Sequence, residues 1–215
     1  MRACPEPDAA GFVLAGGRSE RMGRDKAMIE LAGRTLAERA VELLQSAGLS
    51  AAIAGERSEL GELAPVIADQ GAGEGPLRGL CSALASTGAE LAVFIPVDLP
   101  LLPASLLARL VADARITGAA VTLTSVNGFV QTFPVVLRTA LLPLLREEQN
   151  SSRRGCFAAF QAVAKELGEA VRVIPAEMLS QAGQVVDQNA VPVYQWFLNV
   201  NTPSDVERAA RLRVS

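Results

Sequence analysis

The sequence predicts an α/β protein: a single three-layer α/β/α domain on a mostly parallel twisted sheet. Three observations predict it. Short apolar runs alternate with amphipathic stretches of about 10–15 residues, the pattern of parallel strands joined by crossover helices. Half of the 215 residues are apolar, enough for one large core. The first apolar run, "GFVLA" at 11–15, leads straight into a glycine-rich turn, as strands do where such sheets hold phosphate.

The elements follow in order. The first ten residues read as a loose tail, and the domain is expected over 11–215. Residues 11–15 form a buried strand. Residues 35–48 form a helix. Thr35 can cap it and Glu38, three residues on, completes a capping box. Leu36, Ala40, Leu43 and Leu44 share one face, and Gly48 suits the helix end. "SAAIAG" and "APVIAD" read as the next two strands, and residues 76–88 as a helix with Leu80 and Leu84 on one side. "LAVFIPVDLP", 91–100, is the strongest strand and ends in Asp98. A helix over 103–118 and the strand "AAVTLTS" follow. Beyond residue 125 the pattern loosens. "TFPVVL", "AVRVIP" and "WFLNV" are expected as strands, and 155–167 as a helix. The last helix starts at "NTPSDVERAARL", with Thr202 as cap, Pro203 in its first position and Asp205 completing the box. No internal repeat or low-complexity linker interrupts the chain.

Composition excludes several chemistries. There is no histidine, so no Ser-His-Asp triad, histidine base or histidine-containing zinc site is possible. The net charge of −3 argues against a nucleic-acid-binding face. Cys4, Cys81 and Cys156 are odd in number and far apart, so they read as free thiols in a reducing compartment. The N-terminal "MRACPEPDAAG" has no apolar signal core. No apolar run nears the ~20 residues of a membrane span. A soluble cytoplasmic protein with no membrane partner is expected.

The stretch "LAGGRSERMGRDKA", 14–27, carries the chemistry. It fits neither common phosphate loop. Five residues separate Gly17 from Gly23, Lys26 is not followed by a hydroxyl, and no G-x-G-x-x-G is present. What remains is a pair of glycines, Gly16 and Gly17, with the cations Arg18, Arg21, Arg24 and Lys26. Paired glycines let a backbone approach a ligand and turn its N–H groups inward. Arg21 and Lys26 can then neutralise a triphosphate, or the stretch is a solvated basic turn. Asp98 ends a strand where ligands gather in open parallel sheets, a place suited to magnesium. "VDLP" is equally good turn chemistry.

The same stretch resembles the signature loop of the molybdenum cofactor guanylyltransferase family, roughly L-A-G-G-x-S-x-R-M-G-x-D-K. Leu14, Ala15, Gly16, Gly17, Ser19, Arg21, Met22, Gly23, Asp25 and Lys26 all match. "VIADQGAGEGPLRGL", "FIPVDLPLL" and "FLNVNTPSDV" resemble the family in the right order, so the likeness spans nearly the whole chain apart from 103–195. The resemblance implies a Rossmann-like nucleotidyltransferase fold and GMP transfer from GTP to molybdenum-bound molybdopterin, with Mg²⁺ as cofactor. It implies backbone contacts from Leu14, Ala15 and Gly16 to the guanine nucleotide, with Gly17 over the phosphates. Lys26 then reaches the attacked phosphate, Arg21 the outgoing pyrophosphate, Asp69 the nucleotide and Asp98 the metal. Asn199 and Asn201, at the end of the last expected strand, lie by the second substrate and the metal. Transient contacts with molybdenum cofactor enzymes or chaperones are implied as well.

The missing histidine agrees with this chemistry, because a phosphate monoester is ionised near neutral pH and needs no general base. The sequence also departs from the family pattern. Ala54-Gly55-Glu56 stands where an asparagine is common, Arg78 where a small residue is, and Arg153 and Arg154 fall where basic residues meet the pterin. Two other readings stay open. One is transfer of CMP or another nucleotide to molybdopterin or another small phosphate, although related cytidylyltransferases read L-A-A-G. The other is nucleotide binding without catalysis.

Overall fold

The computed structural model describes residues 8–15, 25–69, 75–149 and 155–213. A seven-stranded sheet runs through its centre. Its strands are β1 (Ala9–Leu14), β4 (Ser50–Ala54), β5 (Val66–Ile67), β6 (Leu91–Pro96), β7 (Val121–Val126), β8 (Phe129–Arg138) and β9 (Arg172–Pro175). Their spatial order is β5-β4-β1-β6-β8-β7-β9. All neighbours are parallel except the two pairs made by β8. A small antiparallel ribbon, β2 (Glu30–Leu31) with β3 (Arg34–Thr35), lies outside the sheet.

The side chains of β1 and β6 alternate between two cores. Ala9, Val13, Leu91, Val93 and Ile95 point to one face. Ala10, Phe12, Leu14, Ala92 and Phe94 point to the other, as a period of two requires. Phe12 and Phe94 are register partners, and their rings stack with centroids 5.2 Å apart. The first face is covered by α1 (Leu36–Ser46), α3 (Ala104–Thr117), α6 (Ala176–Gln181) and α7 (Pro203–Arg213). The second is covered by α2 (Pro76–Ser86), α4 (Leu142–Gln149) and α5 (Cys156–Glu166). This is the expected three-layer architecture.

Gly11 shows how tightly α1 lies on β1. A methyl group there would meet Leu44 Cδ2 and the Ser50 carbonyl oxygen, each at 2.8 Å. The capping box on α1 forms as the sequence predicts: the Glu38 amide donates to Thr35 Oγ1 at 3.2 Å, and the Thr35 amide to Glu38 Oε2 at 2.6 Å. At α7 the Thr202 amide donates to Asp205 Oδ2 at 2.8 Å, and the Asp205 amide to Thr202 Oγ1 at 3.3 Å.

Several expectations need correction. The first strand starts at Ala9, ahead of the expected residue 11. The strand over 64–69 shrinks to two residues. "WFLNV" is not a strand. Pro192 opens a 3-10 turn at Val193–Gln195, whose local bonds use the backbone donors a ladder would need. Trp196 instead serves as a buried anchor, 1% exposed, donating from Nε1 to the Val191 carbonyl at 2.8 Å. Asn199 and Asn201 therefore do not end a sheet strand. The strand expected to end in Asp98 stops at Pro96, and the 199–201 segment meets the turn two residues beyond it through a backbone bond from the Val200 amide to the Asp98 carbonyl at 2.9 Å. Two helices, α4 and α6, were not expected. The sequence between 138 and 155 offers no clean apolar period, and α6 has only 6 residues.

Candidate active site

The chain passes from β1 through α1 to β4 on one side, then returns through α2 to β6 on the other side of β1. This reversal makes the carboxyl ends of β1 and β6 the switch point of the sheet, the place where doubly wound sheets bind ligands in a crevice. Leu14 is in register with Ala54 and with Pro96, so three strands end level with one another. Backbone bonds carry the alignment one step further, from the Ala15 amide to the Ala54 carbonyl at 3.3 Å and from the Val97 amide to the Leu14 carbonyl at 3.4 Å.

Lys26 stands across this crevice from Asp98. It begins a short 3-10 turn, Lys26–Met28, capped by Asp25, whose Oδ1 accepts from the Ala27 amide at 3.1 Å. Lys26 Nζ donates to Asp98 Oδ2 at 3.0 Å and also to Asn201 Oδ1. Residues 26, 98 and 201 thus converge from three separate segments on one ammonium. The two side chains of the ion pair keep only 24% and 18% of their surface. Asn199, on the far side of Val200, is exposed.

Asp69 lies two residues past β5, against the start of α2. Its Oδ2 accepts from Arg78 Nε at 3.0 Å, and Arg78 also reaches Glu56 Oε1 at 3.3 Å. Asp69 Oδ1 is buried with no partner among the described residues. Asp69 packs against α2 at Gly79, where a methyl group would lie in ordinary contact with Oδ1 at 3.4 Å, Ala54 Cβ at 3.9 Å and Leu14 Cδ2 at 4.0 Å. Arg78, open in the sequence to a phosphate contact or to solvent, is joined to these two carboxylates. Glu56, from the Ala54-Gly55-Glu56 stretch at the end of β4, is one of them.

The structure therefore gathers Leu14, Ala15, Lys26, Asp69, Asp98 and Asn201 at one end of the sheet. Gly16, Gly17, Arg18, Arg21, Arg24, Arg153 and Arg154 lie outside the described residues. The fit to a divalent ion can be judged from Asp98 and Asn201. Their two oxygens already share one cation, the Lys26 ammonium, so they form a small hard-oxygen donor set. No group of three or more His, Cys, Asp or Glu gathers among the described residues. The Asp98 and Asn201 oxygens suit an ion held by one or two protein oxygens with substrate phosphates supplying the rest. A cavity of about 440 Å³ between α1, α3 and residues 186–191, lined by Arg39, Glu42 and Asp187 among others, contains none of these residues. Burial pushes the free thiols of Cys81 up to about 11 and of Cys156 up to about 12, so neither is poised as a nucleophile.

Residues 11–174 match the MobA-like NTP transferase domain. The chain belongs to this family. It is 45% identical over 107 residues to a molybdenum cofactor guanylyltransferase of Xanthomonas euvesicatoria pv. vesicatoria, covering 49% of this chain and 54% of the relative. It is 32% identical over 210 residues to the molybdenum cofactor guanylyltransferase of Sinorhizobium fredii, covering 92% and 88%. The chain thus spans about half the length of the first relative and most of the second. The crystal structure of molybdopterin-guanine dinucleotide biosynthesis protein A from Archaeoglobus fulgidus superposes with a TM-score of 0.74 at 20% identity, covering 94% of this chain and 97% of that one. At that identity the likeness speaks for the fold, and it agrees with the three-layer architecture seen here.

In this MobA-like transferase, sequence reasoning missed the residue that ties the crevice together on the β4 side. Arg57 follows the carboxyl end of β4. Its Nη1 donates to the Ala15 carbonyl at 2.9 Å, its Nε to Glu59 Oε1 at 2.7 Å, and its Nη2 pairs with Asp25 Oδ2. The signal available was position alone: a cation three residues past a buried parallel strand lies at the ligand edge of the sheet. Among the described residues no helix is long and apolar enough to cross a membrane.

Proposed function

We propose that the protein transfers GMP from GTP to the phosphate of molybdenum-bound molybdopterin, forming the guanine dinucleotide cofactor and releasing pyrophosphate. The observation that carries this reading is the convergence of Lys26, Asp98 and Asn201 at the mouth of a MobA-like fold. The relatives' names supply the choice of nucleotide and acceptor.

An oxygen of the acceptor phosphate attacks the α-phosphorus. A new P–O bond forms, the bond to the β-phosphate breaks, and pyrophosphate leaves with that electron pair. The acceptor monoester has a second pKa near 6 and is largely dianionic at pH 7, so no residue need remove a proton. That accords with a chain without histidine. Lys26 turns from Asp98 to the α-phosphate and neutralises the charge that grows there. Arg21 takes the pyrophosphate side, and Gly16 and Gly17 bring backbone donors to the phosphates. Leu14 and Ala15 present backbone to the guanine, and Asp69 holds the nucleotide from the β5 side. Asn199 and Asn201 border the acceptor. Asp98, helped by Asn201, would hold the divalent ion that nucleotidyltransferases use. We assign it as Mg²⁺, which supplies charge neutralisation on the phosphates.

The free buried cysteines favour a cytoplasmic setting, from which the product passes to molybdenum cofactor enzymes or their chaperones. The test is pyrophosphate release by the purified protein with molybdenum-bearing molybdopterin, Mg²⁺ and either GTP or CTP. Turnover with GTP that falls about 10²–10³-fold in Asp98→Asn is expected, the cost of removing one charge-stabilising group. Preference for CTP would overturn the guanine assignment, and full activity of Asp98→Asn would overturn the site.

A further inference from the structure

The guanidinium of Arg57 bonds three separate pieces of the crevice. Its side chain is 13% exposed, while the two acids that hold it are more open, Asp25 at 39% and Glu59 at 54%. The third partner, the Ala15 carbonyl, is the first past the end of β1. The backbone of Arg57 is held too. Its amide donates to the Gly55 carbonyl at 3.0 Å, and its carbonyl accepts from the Leu60 amide at 2.9 Å, with Leu60 2% exposed. Arg57 is thus a fixed fork rather than a free cation. With Asp25 and Glu59 the trio carries one net negative charge, so it is not a phosphate-attracting patch.

What the fork holds leads to Lys26. Asp25 gives one carboxylate oxygen to Arg57 and the other to the Ala27 amide. The Asp25 carbonyl accepts from the Met28 amide, and the Lys26 carbonyl from the Ile29 amide, both at 3.1 Å. Ala27 is buried, 1% exposed, which seats the turn. Lys26 therefore sits on a hydrogen-bonded turn whose leading residue, among the described residues, is clamped to the exit of β1 through Arg57.

We propose that Arg57 is a positioning residue for Lys26: by joining the Ala15 carbonyl to Asp25 it fixes the Lys26 turn against the end of β1, and so sets where the ammonium meets the nucleotide. This rests on the assignment of Lys26 to the attacked phosphate. Lysine cannot replace Arg57, because a single ammonium cannot span the three acceptors that the planar fork reaches.

The test compares Arg57→Lys, Asp25→Asn, Lys26→Met and the double variant Arg57→Lys/Lys26→Met. Asp25→Asn keeps an oxygen to cap Ala27 but loses the ion pair, so it opens the clamp from its other end. Amide hydrogen exchange is read first, since it needs no substrate. Exchange at Ala27, Met28 and Ile29 is expected to speed up about tenfold or more in Arg57→Lys and in Asp25→Asn, as loss of a charge-assisted bond implies. The amides of β6 should keep the wild-type rate. GTP turnover is read second. Arg57→Lys should lose about 10–100-fold in kcat/KM, the usual cost of removing a partner that orients a functional group. In the Lys26→Met background the same change should cost almost nothing. Unchanged exchange at 27–29 would overturn the proposal, and so would losses that multiply in the double variant. If the wild type turns over no GTP, guanylyl transfer is what fails, and the exchange comparison still decides the role of Arg57.

Discussion

Replacing Lys26 by methionine should push two affinities in opposite directions. The ammonium lies 3.0 Å from Asp98 Oδ2. At that distance two unit charges attract by about 1.4 kcal/mol in bulk water and by about 5.5 kcal/mol at an effective dielectric near 20. The side chains keep 24% and 18% of their surface, so solvent still screens the pair, and holding a long side chain in place costs entropy. The low figure is the safer guide, and about 1.4 kcal/mol is a factor of about ten. Without nucleotide, a divalent ion must displace Lys26 to reach Asp98 Oδ2. Lys26→Met removes that competitor and leaves Asp98 and Asn201 facing the vacated space. Manganese titrated against the nucleotide-free protein, with the free ion read by electron paramagnetic resonance, should bind about tenfold tighter in the variant. GTP, whose phosphate Lys26 is proposed to hold, should bind more weakly to the same preparation. A damaged fold would weaken both, so the opposite signs identify an exchange of cations at Asp98. Manganese binding no tighter than in the wild type would refute the reasoning.

Two further predictions concern the scaffold. Gly11→Ala should destabilise the protein by about 1–3 kcal/mol, as overpacking does, because one of the two atoms at 2.8 Å is the Ser50 backbone oxygen, which cannot step aside; thermal melting should fall by about 2–4 °C for each kcal/mol, and an unchanged melting temperature would show that α1 is not seated on β1 as described. The Asp205 carboxyl is held below its ordinary range, first by the Thr202 hydroxyl and then by the Asn201 amide; a lowered folded-state pKa gives stability that is present above the unfolded value near 3.9 and is lost as pH falls through the folded value. Thr202→Ala should therefore lower stability at pH 7, by about 1 kcal/mol as for other helix caps, and that difference should shrink below pH 4 in denaturant titrations; a difference that stays constant with pH would exclude the carboxylate from it.

Local rules carried most of the architecture. Thr35 with Glu38, and Thr202 with Asp205, mark their helix starts through bonds spanning three residues, so the sequence alone can display them. The period-two burial of β1 and β6 is likewise written in neighbouring residues. "WFLNV" misled because an apolar run with two aromatics serves equally as a strand or as an anchor, and Pro192, four residues before Trp196, decided for the anchor by opening a turn. The site divides along the same line. Lys26 and Asp98 carry motif signals, and the fold then brings together residues 72 positions apart. Arg57 carries none: its partners Ala15 and Asp25 lie 42 and 32 positions away, and one of them is a backbone carbonyl. The bond to the Ala15 main chain leaves no constraint on that partner's identity, and the ion pair with Asp25 needs the fold to bring the two together, so neither contact shows in the sequence. Lys26 and Asp98 were legible because the chemistry proposed for them demands particular side chains, whereas the Arg57 fork became visible only once β1, β4 and the Lys26 turn were set side by side.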